Sequence, residues 1–88
     1  MLSSISAQSS GGVDFLKAEA AFETGKYEEA VSLYTKVIAD DPGHLESYYH
    51  RGASRFQLGD LKGALEDYNK VLEIKPSYKE AFLHRAAV

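Results

Sequence analysis

The sequence predicts an all-α fold in which antiparallel helical hairpins stack as an α-solenoid, two full units followed by a final helix. Two observations carry this. First, the stretch from Leu45 to Tyr78 repeats the chain 34 residues earlier: Gly59 answers Gly25, Ala64 answers Ala30, Tyr68 answers Tyr34, Lys70 answers Lys36, and Pro76 answers Pro42. The same step forward brings Glu80, His84, Arg85 and Ala87 onto the types found at Glu46, His50, Arg51 and Ala53. Second, each unit holds two segments of helical apolar spacing, separated by a glycine and closed by a proline. A fixed period of this length marks a stacked repeat, whose units are too small to bury an apolar face alone and lean on their neighbours.

The first unit spans residues 11–44. Residues 1–12, MLSSISAQSSGG, read as a flexible Ser- and Gly-rich leader or linker without the basic start and apolar core of a signal peptide. The first helix is expected from about Val13, after Gly11 and Gly12, with Asp14 suiting the positive end of its dipole. Phe15, Ala18 and Phe22 recur at spacings of three and four. Gly25 supplies the freedom for the chain to reverse. The second helix carries Tyr27, Ala30, Val31, Tyr34, Val37 and Ile38 on one apolar face, and Pro42 with Gly43 ends it.

The second unit, 45–78, repeats this logic with helices over Leu45 to Leu58 and Leu61 to Ile74, Asp60 standing ready to accept from the first amides of the latter. Gly52 and Ala64 are small residues at the expected crossing of the two helices, as are Ala18 and Ala30 before them. Enlarging Gly52 to Leu is expected to overpack the hairpin by about 1–3 kcal/mol. Residues 79–88 are a partial third repeat or a capping helix, opened by Ser77 and Glu80 in capping-box spacing. Phe82, Leu83, Ala86, Ala87 and Val88 make it apolar for a cap. The segment therefore reads as part of a longer array, or as a contact through which the protein self-associates.

These residues resemble the tetratricopeptide repeat (TPR) family. Counting Leu45 as the first position, the family's small residues at the eighth and twentieth are matched by Gly52 and Ala64. Its aromatic at the twenty-fourth is matched by Tyr68, and its proline at the thirty-second by Pro76. Ala18, Ala30, Tyr34 and Pro42 match in the first unit, and the likeness covers about residues 11–88. Departures fall at the eleventh position, where Ala21 and Arg55 replace a large apolar residue, and at the twenty-seventh, where Val37 and Val71 replace alanine.

Length and composition narrow the function. Eighty-eight residues form one domain, and 44% hydrophobic with 26% charged content is that of an ordinary folded protein. Thirteen acidic against ten basic residues, a formal charge of -3, argue against a nucleic-acid partner. No apolar run is long enough to span a bilayer, so no membrane role is expected. The lack of cysteine excludes disulfides and thiolate metal sites. A cytoplasmic location is the expectation. No phosphate-binding glycine loop, metalloprotease motif or nucleophile elbow occurs, so the chain is expected to be no enzyme and to need no cofactor or metal. His50 and His84 share a repeat position at which two rings can face each other across a groove as a pH-sensitive contact or metal site, but they read first as plain solvated or hydrogen-bonded histidines. Glu28, Glu29, Glu66 and Asp67 read as solvated charges on the outer helices.

The resemblance implies a protein-interaction module, in which the first helices of successive units line a concave groove for a peptide or helical segment. Carried over by position, the first helix lines it with Phe15, Glu19, Phe22 and Glu23. The second adds Glu46, Tyr49, His50, Ala53, Phe56 and Gln57, and the third Glu80, Leu83, His84 and Ala87. An aromatic floor with acidic flanks suits an apolar peptide with basic residues; Phe22 and Phe56 read equally as half core. Candidate partners are a chaperone or a client protein. One subset of the family clamps the C-terminal carboxylate of heat-shock chaperones with lysines, asparagines and an arginine. Phe15, Glu19, His50, Glu80 and His84 stand at those places, so a carboxylate clamp is not expected. The alternative is a structural or oligomerisation segment that associates through its C-terminal helix.

Overall fold

A computed structural model describes residues 2–88, with side chains from Gly12 onward. Five helices follow one another: α1 (Leu2–Glu23), α2 (Tyr27–Asp40), α3 (Leu45–Gln57), α4 (Leu61–Ile74) and α5 (Lys79–Ala87), with no strand among the described residues. α1 pairs with α2 and α3 with α4 as hairpins; α2 packs on α3 and α4 on α5, so consecutive hairpins stack. The molecule measures 46 × 27 × 17 Å, and its thin axis suits two layers of helices at a spacing of about 8–10 Å.

The repeat in the sequence is a repeat in backbone geometry. Gly25 and Gly59 adopt φ of 79° and 85°, the left-handed region that glycine enters at little cost. Around them the same pair of bonds recurs: the Lys26 and Asp60 amides each donate to the carbonyl five residues back, at 2.8 Å, and the glycine amides to the carbonyl three residues back. This is the Schellman arrangement, which satisfies the last carbonyls of the helix and turns the chain. The second helix of each unit also ends alike, with the Asp41 amide on the Val37 carbonyl and the Lys75 amide on the Val71 carbonyl, both at 2.8 Å. Proline at the next position cannot continue the ladder.

Ala18, Ala30, Tyr34, Ala64, Tyr68 and Val71 are buried, as the family pattern implies. One cluster fills the first hairpin, where Phe15, Phe22 and Leu33 pack against Ala18, Ala21, Ala30 and Tyr34. A second joins units: Ile38 from α2 and Tyr48 from α3 meet Val71 from α4 and Ala81 from α5. At the crossing of α3 and α4 a Cβ placed on Gly52 would lie 2.9 Å from Tyr68 Cε1 and 3.1 Å from Asp67 Cβ, so only glycine permits this approach. Asp60 caps α4 as expected, its Oδ1 accepting from the Gly63 amide at 3.0 Å.

Three expectations are corrected. The first helix does not begin near Val13 but runs back through Gly11 and Gly12 to Leu2; a helical glycine costs only about 1 kcal/mol and no proline intervenes. Ser77 does not cap α5. The helix starts one residue later, with Tyr78 at the cap position and no side-chain bond to its amides.

Asp67, expected to be solvated, is buried. Arg51 grips it with a two-pronged pair of bonds, Nε to Oδ2 at 2.9 Å and Nη2 to Oδ1 at 2.8 Å, and Arg55 Nη1 adds a third at 3.0 Å. The equivalent positions in the first unit are Lys17, Leu33 and Ala21. Arg55 at the eleventh position is therefore half of an ionic contact that the first hairpin replaces with an apolar one.

Candidate functional site

The inner face is built by α1, α3 and α5. Along it a string of aromatic rings runs from unit to unit. Phe22 stacks on His50 at 5.0 Å between centroids, His50 touches Tyr49 at 5.4 Å, Tyr49 stacks on His84 at 5.4 Å, and His84 meets Tyr68 edge-on at 5.6 Å. The helical repeat dictates part of this string, since His50 meets Tyr34 at 5.8 Å just as His84, one period later, meets Tyr68 at 5.6 Å. His50 and His84 do not meet across the groove. Each rests on Tyr49, whose large ring occupies the space between their helices. Among the described residues no three acidic or histidine side chains converge as a metal would require.

At its C-terminal end the string opens into a concavity of about 250 Å³ lined by Ala53, Phe56, Gln57, Tyr68, His84 and Ala87. The small Ala53 and Ala87 leave the room, Phe56 and Tyr68 supply apolar walls, and Gln57 and His84 supply polar groups. Phe56 is 40% exposed, so much of its ring is available. Such a site takes an apolar side chain and orients it with one or two hydrogen bonds.

The other positions expected in the groove divide into two groups. Phe15 and Phe22 are half-buried in the first hairpin, Phe15 meeting Tyr34 edge-on at 6.1 Å and His44 at 4.9 Å. Tyr49 packs on the inter-unit cluster. These rings are core and floor at once. Glu23, Glu46, Glu80 and Leu83 are exposed along the rim and do not line the concavity.

Glu19 is tied into the floor. It accepts from the Tyr34 hydroxyl and lies 2.8 Å from His50 Nδ1. The imidazole atom is buried and its contact with the carboxylate is too bent for a good hydrogen bond.

Burial, and after it nearby carboxylates, shift the tyrosines along this face. Burial pushes the Tyr34 hydroxyl well above the usual tyrosine range, and acceptance of its proton by Glu19 and the charges of Glu23 and Glu46 add to it. Burial raises Tyr68 to about 12. Tyr49 is raised as well, first by burial and then by Tyr78 and Glu80, and Tyr78 first by burial and then by Glu80 and Glu46.

Tyr68 was not among the residues expected in the groove. Its position reads as core in the repeat, and only its hydroxyl signalled a side chain with one wet end.

A sequence profile described as tetratricopeptide repeat matches residues 15–79. No curated protein matches the chain significantly. Among solved structures, "First TPR of Spaghetti (RPAP3) bound to HSP90 peptide SRMEEVD" is similar with 31% identity and a TM-score of 0.80, covering 88% of this chain and 63% of that one. The first TPR domain of human RPAP3, determined by NMR, shares 27% identity over 88% of this chain and 87% of that one, with a TM-score of 0.51. MamA, at 24% identity and a TM-score of 0.78 over 82% of this chain and 42% of that one, shares the fold. The chain thus spans less than two thirds of the length of two of these three structures.

Proposed function

Since the chain belongs to the tetratricopeptide repeat family, we propose that it is a peptide-binding module whose inner face takes an apolar segment with basic flanks, without clamping a C-terminal carboxylate. The observation that carries this reading is the concavity between α3 and α5, at the end of a continuous aromatic floor. An apolar anchor fits between Phe56 and Tyr68, and the acidic rim of Glu23, Glu46 and Glu80 attracts basic neighbours. The partner belongs to the class of extended protein segments, a chaperone tail or a client being candidates. A scaffolding role follows, in which the module brings two proteins together and performs no chemistry of its own.

The similar RPAP3 domain is bound to the peptide SRMEEVD, which makes that peptide the natural probe. Here Phe15, Glu19, His50, Glu80 and His84 replace the basic and amide groups that hold a terminal carboxylate. Glu19 and Glu80 repel one. Titrating SRMEEVD by calorimetry is expected to give no saturable binding below about 1 mM, where binding free energy falls under about 4 kcal/mol. Micromolar affinity would overturn the exclusion of a clamp. Reversing the charge with Glu19→Lys and Glu80→Lys together is expected to raise affinity for SRMEEVD.

A further inference from the structure

One carboxylate on the inner face is only half used by the fold. Both contacts of Glu19 fall on a single oxygen: Oε1 accepts from the Tyr34 hydroxyl and lies 2.8 Å from His50 Nδ1. A carboxylate oxygen offers two lone-pair sites, and these two neighbours take them. The buried atom left without a partner here is His50 Nδ1 and not Glu19 Oε2, which therefore opens onto the face. Among the described residues no lysine or arginine comes within ion-pair distance of Glu19, Glu23 or Glu46. Their three charges gather around one point, since all of them act on the Tyr34 hydroxyl. That hydroxyl is held well above the usual tyrosine range, so it keeps the proton it donates and the tether on Oε1 persists.

The internal repeat fixes where this oxygen stands. Glu19, Ala53 and Ala87 occupy one repeat position on α1, α3 and α5. The two alanines are the small residues that open the concavity, so Glu19 lies one stacked helix away from it, at about 8–10 Å. An extended peptide crossing the helices sets alternate side chains on one face about 6–7 Å apart. With its apolar anchor in the concavity, the residue two places away comes over α1, and a long stem covers the remaining distance. Phe22, three residues along α1 from Glu19 and half-buried, gives that stem an apolar bed.

We propose that Glu19 is a specificity-determining residue of the peptide site and selects lysine over arginine at the second residue from the apolar anchor. The inference rests on the peptide-binding reading above and names its cation. A guanidinium grips a carboxylate best with two parallel bonds, which need both oxygens. Asp67 offers both, and Arg51 takes them as a fork. Glu19 offers one, because Tyr34 and His50 enclose the other. An ammonium is a compact charge with rotatable donors and loses nothing on a single oxygen. The tether also holds the carboxylate in place before the peptide arrives, which lowers the ordering cost of binding.

The test pans a random twelve-residue peptide library against the wild-type protein, Glu19→Gln and Tyr34→Phe, and counts the residues found two places from the apolar anchor. Wild type is expected to enrich lysine over arginine there. A lysine-to-arginine analogue of the leading peptide is expected to bind about threefold more weakly in a titration. Glu19→Gln keeps the shape of the side chain and an acceptor for Tyr34 but removes the charge, so it is expected to keep the anchor and lose the lysine. Tyr34→Phe frees Oε1, and arginine is expected to rise to at least the level of lysine. Because Tyr34 is buried, that variant is scored by the ratio of the two basic residues among retained peptides, which a loss of stability alone does not alter. Arginine equal to lysine on the wild type, or a lysine preference that survives Glu19→Gln or Tyr34→Phe, would overturn the inference and leave the peptide-binding reading standing. Retained peptides that share no apolar anchor would overturn that reading, and this inference with it.

Discussion

Asp67 shows how much one buried side chain controls. Its carboxylate is almost fully removed from water and is satisfied only because two arginines reach it from α3. Asp67→Asn leaves both guanidinium groups short of a counter-charge in a poorly hydrated place, at a cost of about 3–5 kcal/mol. At about 4–8 °C per kcal/mol for a domain of this size, its thermal midpoint is expected to fall by more than 10 °C. Scanning calorimetry reads this directly. Transplanting the first unit's set, with Arg51→Lys, Arg55→Ala and Asp67→Leu together, is expected to restore most of the loss, because an apolar replacement of a buried ion pair is often neutral or better. A triple variant as unstable as Asp67→Asn would mean that the ionic contact is not interchangeable with the apolar one.

The tyrosines act at the same scale. Tyr34 and Tyr68 are neutral in the folded protein, and burial holds both above the ordinary value of 10.0. The folded state thus keeps its protons where the unfolded chain loses them, so stability is complete below about pH 10 and falls as pH rises toward 12 and beyond. Urea midpoints measured from pH 8 to 12 are expected to decline only above about 10, and Tyr34→Phe to flatten that decline. A decline already complete by pH 9 would contradict the assignment.

At the level of elements, the hairpin depends on how closely its helices approach. Gly52→Ala puts a methyl group within 2.9 Å of Tyr68 Cε1, and is expected to cost about 1–3 kcal/mol in denaturant unfolding. The first unit tolerates Ala18 at the equivalent place, where it is buried against its own partner helix, so the two hairpins differ in spacing. A neutral Gly52→Ala would show that α3 and α4 have slack.

The elements are also where sequence legibility ends. The helices of both full units were legible because periodicity, turn glycines and prolines all agree on their ends, and two copies of each signal are present. The start of α1 was not, since Gly11 and Gly12 weaken a helix without forbidding it. Ser77 and Glu80 have the spacing of a capping box, but backbone bonds such as that from the Tyr78 amide to the Lys75 carbonyl at 3.0 Å carry the turn one residue further. The burial of Asp67 depends on two arginines a turn apart on a different helix, a fact of packing that composition does not reveal.

Across the whole molecule, stacking converts equivalent positions into a continuous inner face. That is why Ala53, Phe56, Gln57, His84 and Ala87, expected in the groove by repeat position, meet around one concavity. Phe15 and Phe22 instead turn partly inward, because the first hairpin has alanines at Ala18 and Ala21 and needs large rings to fill its core. Tyr68 stays buried and only edges the wall, beside the small Ala53 and Ala87. The account places recognition on this face, with an apolar anchor in the concavity and basic residues along the acidic rim. Panning a random twelve-residue peptide library against the wild-type protein and against Ala53→Arg, which fills the concavity with a charged side chain, tests this most directly. Wild-type protein should select peptides that pair an apolar anchor with lysine or arginine, and Ala53→Arg should fail to retain them while melting at a similar temperature. Peptides held equally well by both proteins would contradict the claim that this face is where the partner binds.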